Sequence, residues 1–281
     1  MYRIGMALIA MAQMAACVAD DDGVGAGKPT SPASASPTAP LDVPAASAPV
    51  VAPTSAVVEP AEGKAVRVGG DMDARVEFRD GNFYSGPCSI TTPLPAGYPA
   101  PTPPGAVEIK RYPAVRRAEV SGSMTPDLGM NMAFFPLFNH IKSRKIAMTS
   151  PVEMEYSGVD EPKTPTDPPA RPEGWKMSFL YRTAELGPTG QDPDRKQVRV
   201  VDAPAVTVLS AGIRGSQSWA RVRREAVKLE EWLAGQTDWE AAGDIRGLYY
   251  NGPDVRTADL WGEVQIPVRR RAGAAQPPAS Q

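Results

Sequence analysis

The sequence predicts an α+β domain, a curved antiparallel sheet or open barrel with two long helices packed across it. Three observations carry this. Short runs of alternating polarity recur between residues 105 and 268, broken by Pro and Gly, which is the period-2 signature of half-buried strands. Two segments only repeat apolar residues at helical spacing. The order strand, strand, helix, strand, strand occurs twice, as two halves of one pattern.

The first half opens with VEIKRY (107–112), in which Val107, Ile109 and Arg111 alternate with Glu108, Lys110 and Tyr112. Pro113 interrupts, and AVRRAEVSG (114–122) reads as a second strand. A helix follows at 128–143, its core stripe formed by Phe134, Leu137, Phe138 and Ile141 at i, i+3, i+4, i+7. KIAMTSPVEMEY (145–156) places Ile146, Met148, Val152, Met154 and Tyr156 on one parity, which predicts a strand pair or one strand bent at Pro151 with a continuous apolar face. Residues 158–174 form a polar, Pro-rich loop, and WKMSFLYR (175–182) is the next strand.

The second half repeats the order. VRVVDA (198–203) and AVTVLSAGI (205–213) flank Pro204. Helix 216–235 carries Trp219, Val222, Ala226, Leu229 and Leu233 as its buried stripe and stops at Gly235. IRGLYYNG (245–252) and GEVQIPV (262–268) close the set.

Outside this unit the composition changes. The chain has 281 residues and 31 prolines, too unevenly placed for one uniform globule. Residues 1–17 have a short positive start, an apolar run and small residues before Cys17, the pattern of an export signal. Met14-Ala15-Ala16-Cys17 is similar to a lipobox, so Cys17 is the expected lipidation site; ordinary cleavage and release of a soluble protein is the alternative. Both place the protein outside the cytoplasm, as a cell-envelope lipoprotein tethered to the membrane or as a periplasmic protein. Residues 18–63 are Ala, Pro and Ser-rich without periodicity, the composition of a disordered tether. Residues 64–104 hold a hairpin around Asp80-Gly81 (74–84) and a Pro-rich extension, and 269–281 form a disordered tail. With Cys17 lipidated, Cys88 has no partner, which excludes a disulfide framework and a Cys-rich zinc site. Lys and Arg total 30 against 32 Asp and Glu, a net charge of -2, so the basic excess of a nucleic-acid binder is missing.

The block FFPLFNHIKSRKIAMTSPVEMEY (134–156), with VEIKRYPAVRRAEV, WKMSFLY, AVTVLSAGIRG and the closing YYNGPDV and GEVQIPV, resembles the SOUL/heme-binding-protein family over about 105–268. Gly262 stands where the family's last motif usually has Asn. The resemblance implies a distorted antiparallel β-barrel of two similar halves, with both helices on one side. It also implies noncovalent heme or another porphyrin, held in an open groove built partly by the first helix, in a protein that carries or buffers it rather than an enzyme.

Within that frame His140, the chain's one histidine, lies off the core stripe at the rim of the helix and is the candidate axial metal ligand; a partly exposed helix histidine is the alternative. Met130, Met148 and Met154, with Met132 and Met177, supply soft side chains for a flat apolar ligand, or core filler. Lys142 and Arg144 are candidates for propionate pairing, or for interaction with the helix C-terminus. Glu153 and Glu155 read as the solvated face of their strand. Two other classes stay open. One is a small-molecule binder or hydrolytic enzyme on a gyrase-inhibitor-like fold, with Glu153 or Glu263 as general acid. The other is a ligand-free envelope interaction protein, its groove filled by its own 86–105 extension.

Overall fold

The computed structural model describes residues 57–159 and 171–272. Two long strand pairs organise the sheet. Strand β5 (Ala106–Tyr112) and β6 (Val115–Gly122) are separated only by Pro113 and Ala114, and β10 (Arg199–Ala203) and β11 (Val206–Arg214) only by Pro204 and Ala205. Across these corners Tyr112 pairs with Val206, and Val115 with Ala203. Each proline lacks the N–H that would continue the ladder. Each long strand therefore bends there, and its two parts serve opposite flanks of one sheet.

Strand β1 (Ala65–Gly70) adds to β5. The centre holds β7 (Val152–Ser157), β8 (Gly174–Leu180), β13 (Ile245–Tyr249) and β14 (Trp261–Arg270), with the two-residue β9 (Gly190–Gln191) on β10 and β12 (Trp239–Ala241) on β14. The hydrogen-bonded order is β1-β5-β11-β14-β13-β7-β8-β6-β10-β9. This corrects the expected barrel. The path ends at β1 on one side and β9 on the other, which do not pair, so the sheet stays open. A separate small sheet is formed by β2 (Glu77–Arg79), β3 (Asn82–Ser85) and β4 (Cys88–Ile90). Its hairpin turns at Asp80 and Gly81, both at positive φ (51° and 78°), the backbone a tight two-residue turn requires.

Helix α1 (Pro126–Ser143) lies on β6 and β8, and α2 (Trp219–Ala234) on β14, β12 and β11. Both sit on one side, and both stripes expected from periodicity are buried there. Proline at the first position suits the start of α1, where its missing N–H has no helical partner to lose. The helix N-termini meet where Asp127 Oδ1 accepts from Trp219 N at 2.9 Å.

The sheet buries both faces, which alternation alone does not foretell. Ile109, Met154, Met177, Leu209, Val264 and Ile266 point to the helices. Tyr112, Val208, Leu248, Tyr250 and Trp261 point the other way, with Ile90 and Cys88 against them. A strap of residues 91–105, between β4 and β5, crosses that second face.

Two local expectations are corrected. Residues 145–151 are not a strand: β7 starts at Val152, Ile146 is buried in a loop and Met148 is exposed, so no continuous face joins Met148 to Met154. Glu153 is not on a solvated face but is buried between Arg117 and Arg246.

Candidate functional site

Helix α1 is apolar on two sides. Its inner stripe packs on β8, with the Phe134 ring 5.3 Å from Phe179. Leu128, Met132 and Phe135 form a second series at i, i+4, i+7, which at ~100° per residue falls on one face. These three are exposed by 49%, 57% and 43%, and Met124 is exposed one residue before the N-cap. Such a row of large apolar groups in water is the exception for a helix, whose outer face is usually polar. Lys142 is exposed in the last turn of the same helix. Met148 is exposed in the loop that follows α1, and Leu186 at the end of a short 3-10 helix (Ala184–Leu186).

His140 is 1% exposed, not at a rim. Its Nδ1 lies 2.5 Å from Asp192 Oδ2, and its Nε2 lies 2.6 Å from the Tyr181 hydroxyl. Burial alone would raise the Asp192 carboxyl, but the bonds from His140, the Asp194 N–H and Arg144 outweigh it and hold the pKa at about 2. Ionised Asp192 only accepts, so Nδ1 carries the imidazole proton and Nε2 accepts from the Tyr181 O–H. Burial lowers the His140 pKa and raises that of Tyr181 to about 12, which keeps both neutral at pH 7. Both ring nitrogens are therefore engaged, and neither points to an open coordination position. Arg144 is committed to the same cluster, 3.0 Å from Asp192 Oδ2.

The other expected residues separate. Met130 is half-buried against the core, and Met154 is fully buried, paired across the ladder with Met177. Of the expected set, Lys142 and Met148 are exposed near α1, whereas His140 and Met154 are inside. Leu128 and Phe135 lie outside the core stripe, and their signal in the sequence is a second i, i+4, i+7 series through Met132 on the same helix.

The sheet's second face carries a buried charged network. Glu263, 0% exposed, accepts from Lys110 Nζ (2.9 Å), Ser210 Oγ (2.6 Å), Tyr250 O–H (2.7 Å), Gln265 Nε2 (2.7 Å), Tyr112 O–H (3.2 Å) and the Thr102 N–H (2.8 Å). Burial pushes its pKa up, but Lys110 and these donors outweigh that and hold it at about 2. Burial likewise raises Glu153 and the Arg246 and Arg117 guanidinium groups outweigh it, leaving it lowered. Neither carboxylate holds a proton to give at neutral pH, which removes the chemical basis for either as a general acid.

The expected membrane partner, held through lipid on Cys17, is withdrawn. Cys17 lies outside the described residues, and Cys88, the one cysteine among the described residues, is fully buried and unfit as a surface anchor. Among the described residues no helix is long and apolar enough to cross a membrane.

The model of the SOUL heme-binding protein family matches residues 99–266, and the chain belongs to that family. Its members are in general non-catalytic heme carriers. No curated protein matches the sequence. Among solved structures, the EcmrR C-terminal domain is similar at 12% identity and a TM-score of 0.44, covering 59% of this chain and 98% of that one. EcmrR in its complex with DNA gives 12% identity and 0.45, and the match spans 57% of that longer chain. A hydrolase encoded by lin2189 from Listeria innocua gives 16% identity and 0.42, covering 60% of this chain and 94% of that one. At such scores none of these bears on function.

Proposed function

We propose that this protein is an exported heme or porphyrin carrier that holds the macrocycle against the outer face of α1. The single observation that carries the reading is the exposed row Leu128, Met132 and Phe135 on the first helix of a SOUL heme-binding domain. Thioether, aliphatic and aromatic groups offer a flat, polarizable surface for an apolar ring. The exposed cation of Lys142 at the end of the helix supports pairing with a propionate. The residues present fit the ring better than they fit its iron by way of His140, because His140 gives both nitrogens to Asp192 and Tyr181. The iron would supply the redox and ligand chemistry when bound; the chain supplies the apolar face and the cation. Export is supported by the apolar, small-residue pattern of residues 1–17.

The test is a hemin titration of the full chain followed by absorption spectroscopy. A saturable Soret shift at one hemin per chain is expected. A hemin spectrum left unchanged by the protein removes the reading.

A further inference from the structure

The helix-free face of the sheet is covered by a segment with almost no secondary structure of its own. Six of the thirteen residues 92–104 are proline. The prolines leave few backbone donors, and two of those that remain bond outside the strap. The Ala96 N–H donates to Arg182 O at 2.9 Å, and the Thr102 N–H to Glu263 Oε1 at 2.8 Å. The carbonyls are used in the same way. Pro93 O accepts from Ser150 N at 3.0 Å, and Thr102 O accepts from Trp261 Nε1 at 2.8 Å. The strap thus grips both halves of the fold, at Ser150 and Arg182 on one side and at Ser210, Trp261 and Glu263 on the other.

Two features suit this face to an extended segment laid across it. The Tyr98 ring sits edge-on to Tyr112, with centroids 4.8 Å apart, as an aromatic anchor. At Gly212 a Cβ would stand 2.1 Å from Pro103 O, so glycine there lets an incoming backbone lie directly on β11. The carboxylate at the centre of the polar floor is held without the strap, and Trp261 Nε1 is the donor that the strap's departure frees for an incoming carbonyl. If Thr102 leaves, Glu263 keeps Lys110, Ser210, Tyr250, Gln265 and Tyr112. The face is therefore preorganised, which is what lowers the cost of binding a segment in trans.

We propose that the helix-free face is a recognition surface for an extended, proline-rich peptide with an aromatic anchor, and that residues 92–104 occupy it in cis. Proline-rich segments bind aromatic-lined grooves because their extended form is already ordered. A tethered segment holds an effective concentration on the order of millimolar, so the strap excludes a peptide in trans until it is displaced. This proposal is independent of where a porphyrin binds, since α1 lies on the opposite side of the sheet.

Two measurements test it. In the unmodified full chain, hydrogen exchange should show the Ala96 and Thr102 amides opening at least about tenfold faster than Leu209 and Val264 in the sheet beneath. Equal rates would make the strap part of the global fold and overturn the proposal. In the full chain with Tyr98→Ala and Thr102→Gly, a fluorescein-labelled synthetic peptide of residues 92–104 should bind saturably by anisotropy. The wild type should not bind it, and the same peptide with alanine at the Tyr98 position should fail to compete. A folded double variant that ignores the peptide overturns the proposal; if the double variant does not fold, the exchange comparison alone decides.

Discussion

The Tyr181 hydroxyl lies 2.6 Å from His140 Nε2 and engages the lone pair that this histidine would otherwise offer to a metal. Asp192 closes the other side of the ring at 2.5 Å. The chain's one histidine is thus a buried bolt between α1, the end of β8 and the turn after β9. Tyr181→Phe leaves a buried imidazole nitrogen without its donor, at a cost of about 1–3 kcal/mol. Urea denaturation should show that loss, while hemin affinity stays within about twofold of wild type. A large fall in hemin affinity with unchanged stability would return His140 to the ligand site.

The outer face of α1 should behave in the opposite way. Met132→Glu or Phe135→Glu removes apolar contact worth about 1.5–3 kcal/mol per side chain, or roughly 10–100-fold in hemin affinity. Because both side chains are exposed, stability should move by no more than about 0.5 kcal/mol. Titration and denaturation of the same samples separate the two effects.

The sign of the acid response follows from Glu263 and Asp192. Each carboxylate is held at about 2 in the folded chain, against roughly 4 in an unfolded one. Between those values the unfolded chain binds more protons, so stability is fully present above about pH 4 and falls as the pH drops toward 2. Urea midpoints measured across that window should decline steeply, and less so in Glu263→Gln. Lys110→Met strands a buried carboxylate and should cost about 3–5 kcal/mol at pH 7.

Gly129 sets helix propensity against packing. Alanine in a helix interior is favoured over glycine by about 1 kcal/mol. A Cβ at Gly129, however, would stand 2.2 Å from the Trp175 ring. Overpacking of that kind costs about 1–3 kcal/mol, so Gly129→Ala should lower the thermal midpoint rather than raise it. A rise would show that Trp175 gives way freely.

Much of the fold was legible because local periodicity reports burial against a neighbour. The stripes Phe134-Leu137-Phe138-Ile141 and Trp219-Val222-Ala226-Leu229-Leu233 are buried as their spacing predicts, and the turn at Asp80-Gly81 forms where it was read. What failed depended on distant chain. Glu153 alternates with apolar residues and reads as solvated, yet Arg117 and Arg246, 36 and 93 residues away, close over it. Barrel closure is a property of sheet edges, and neither β1 nor the two-residue β9 announces whether it has a partner. His140 was read one-third of a turn off the core stripe; Tyr181 and Asp192, 41 and 52 residues away, bury it. Of the candidate site, the family and its helix were readable, but the face of that helix was not, since α1 is apolar on both sides.

The most direct test is a side-by-side hemin titration of the wild type, His140→Gln, and the pair Met132→Glu with Phe135→Glu, read by the Soret band. The account predicts a saturable shift in the wild type that persists in His140→Gln and is lost in the paired variant. No shift in the wild type, or a shift abolished by His140→Gln and kept by the paired variant, would contradict it.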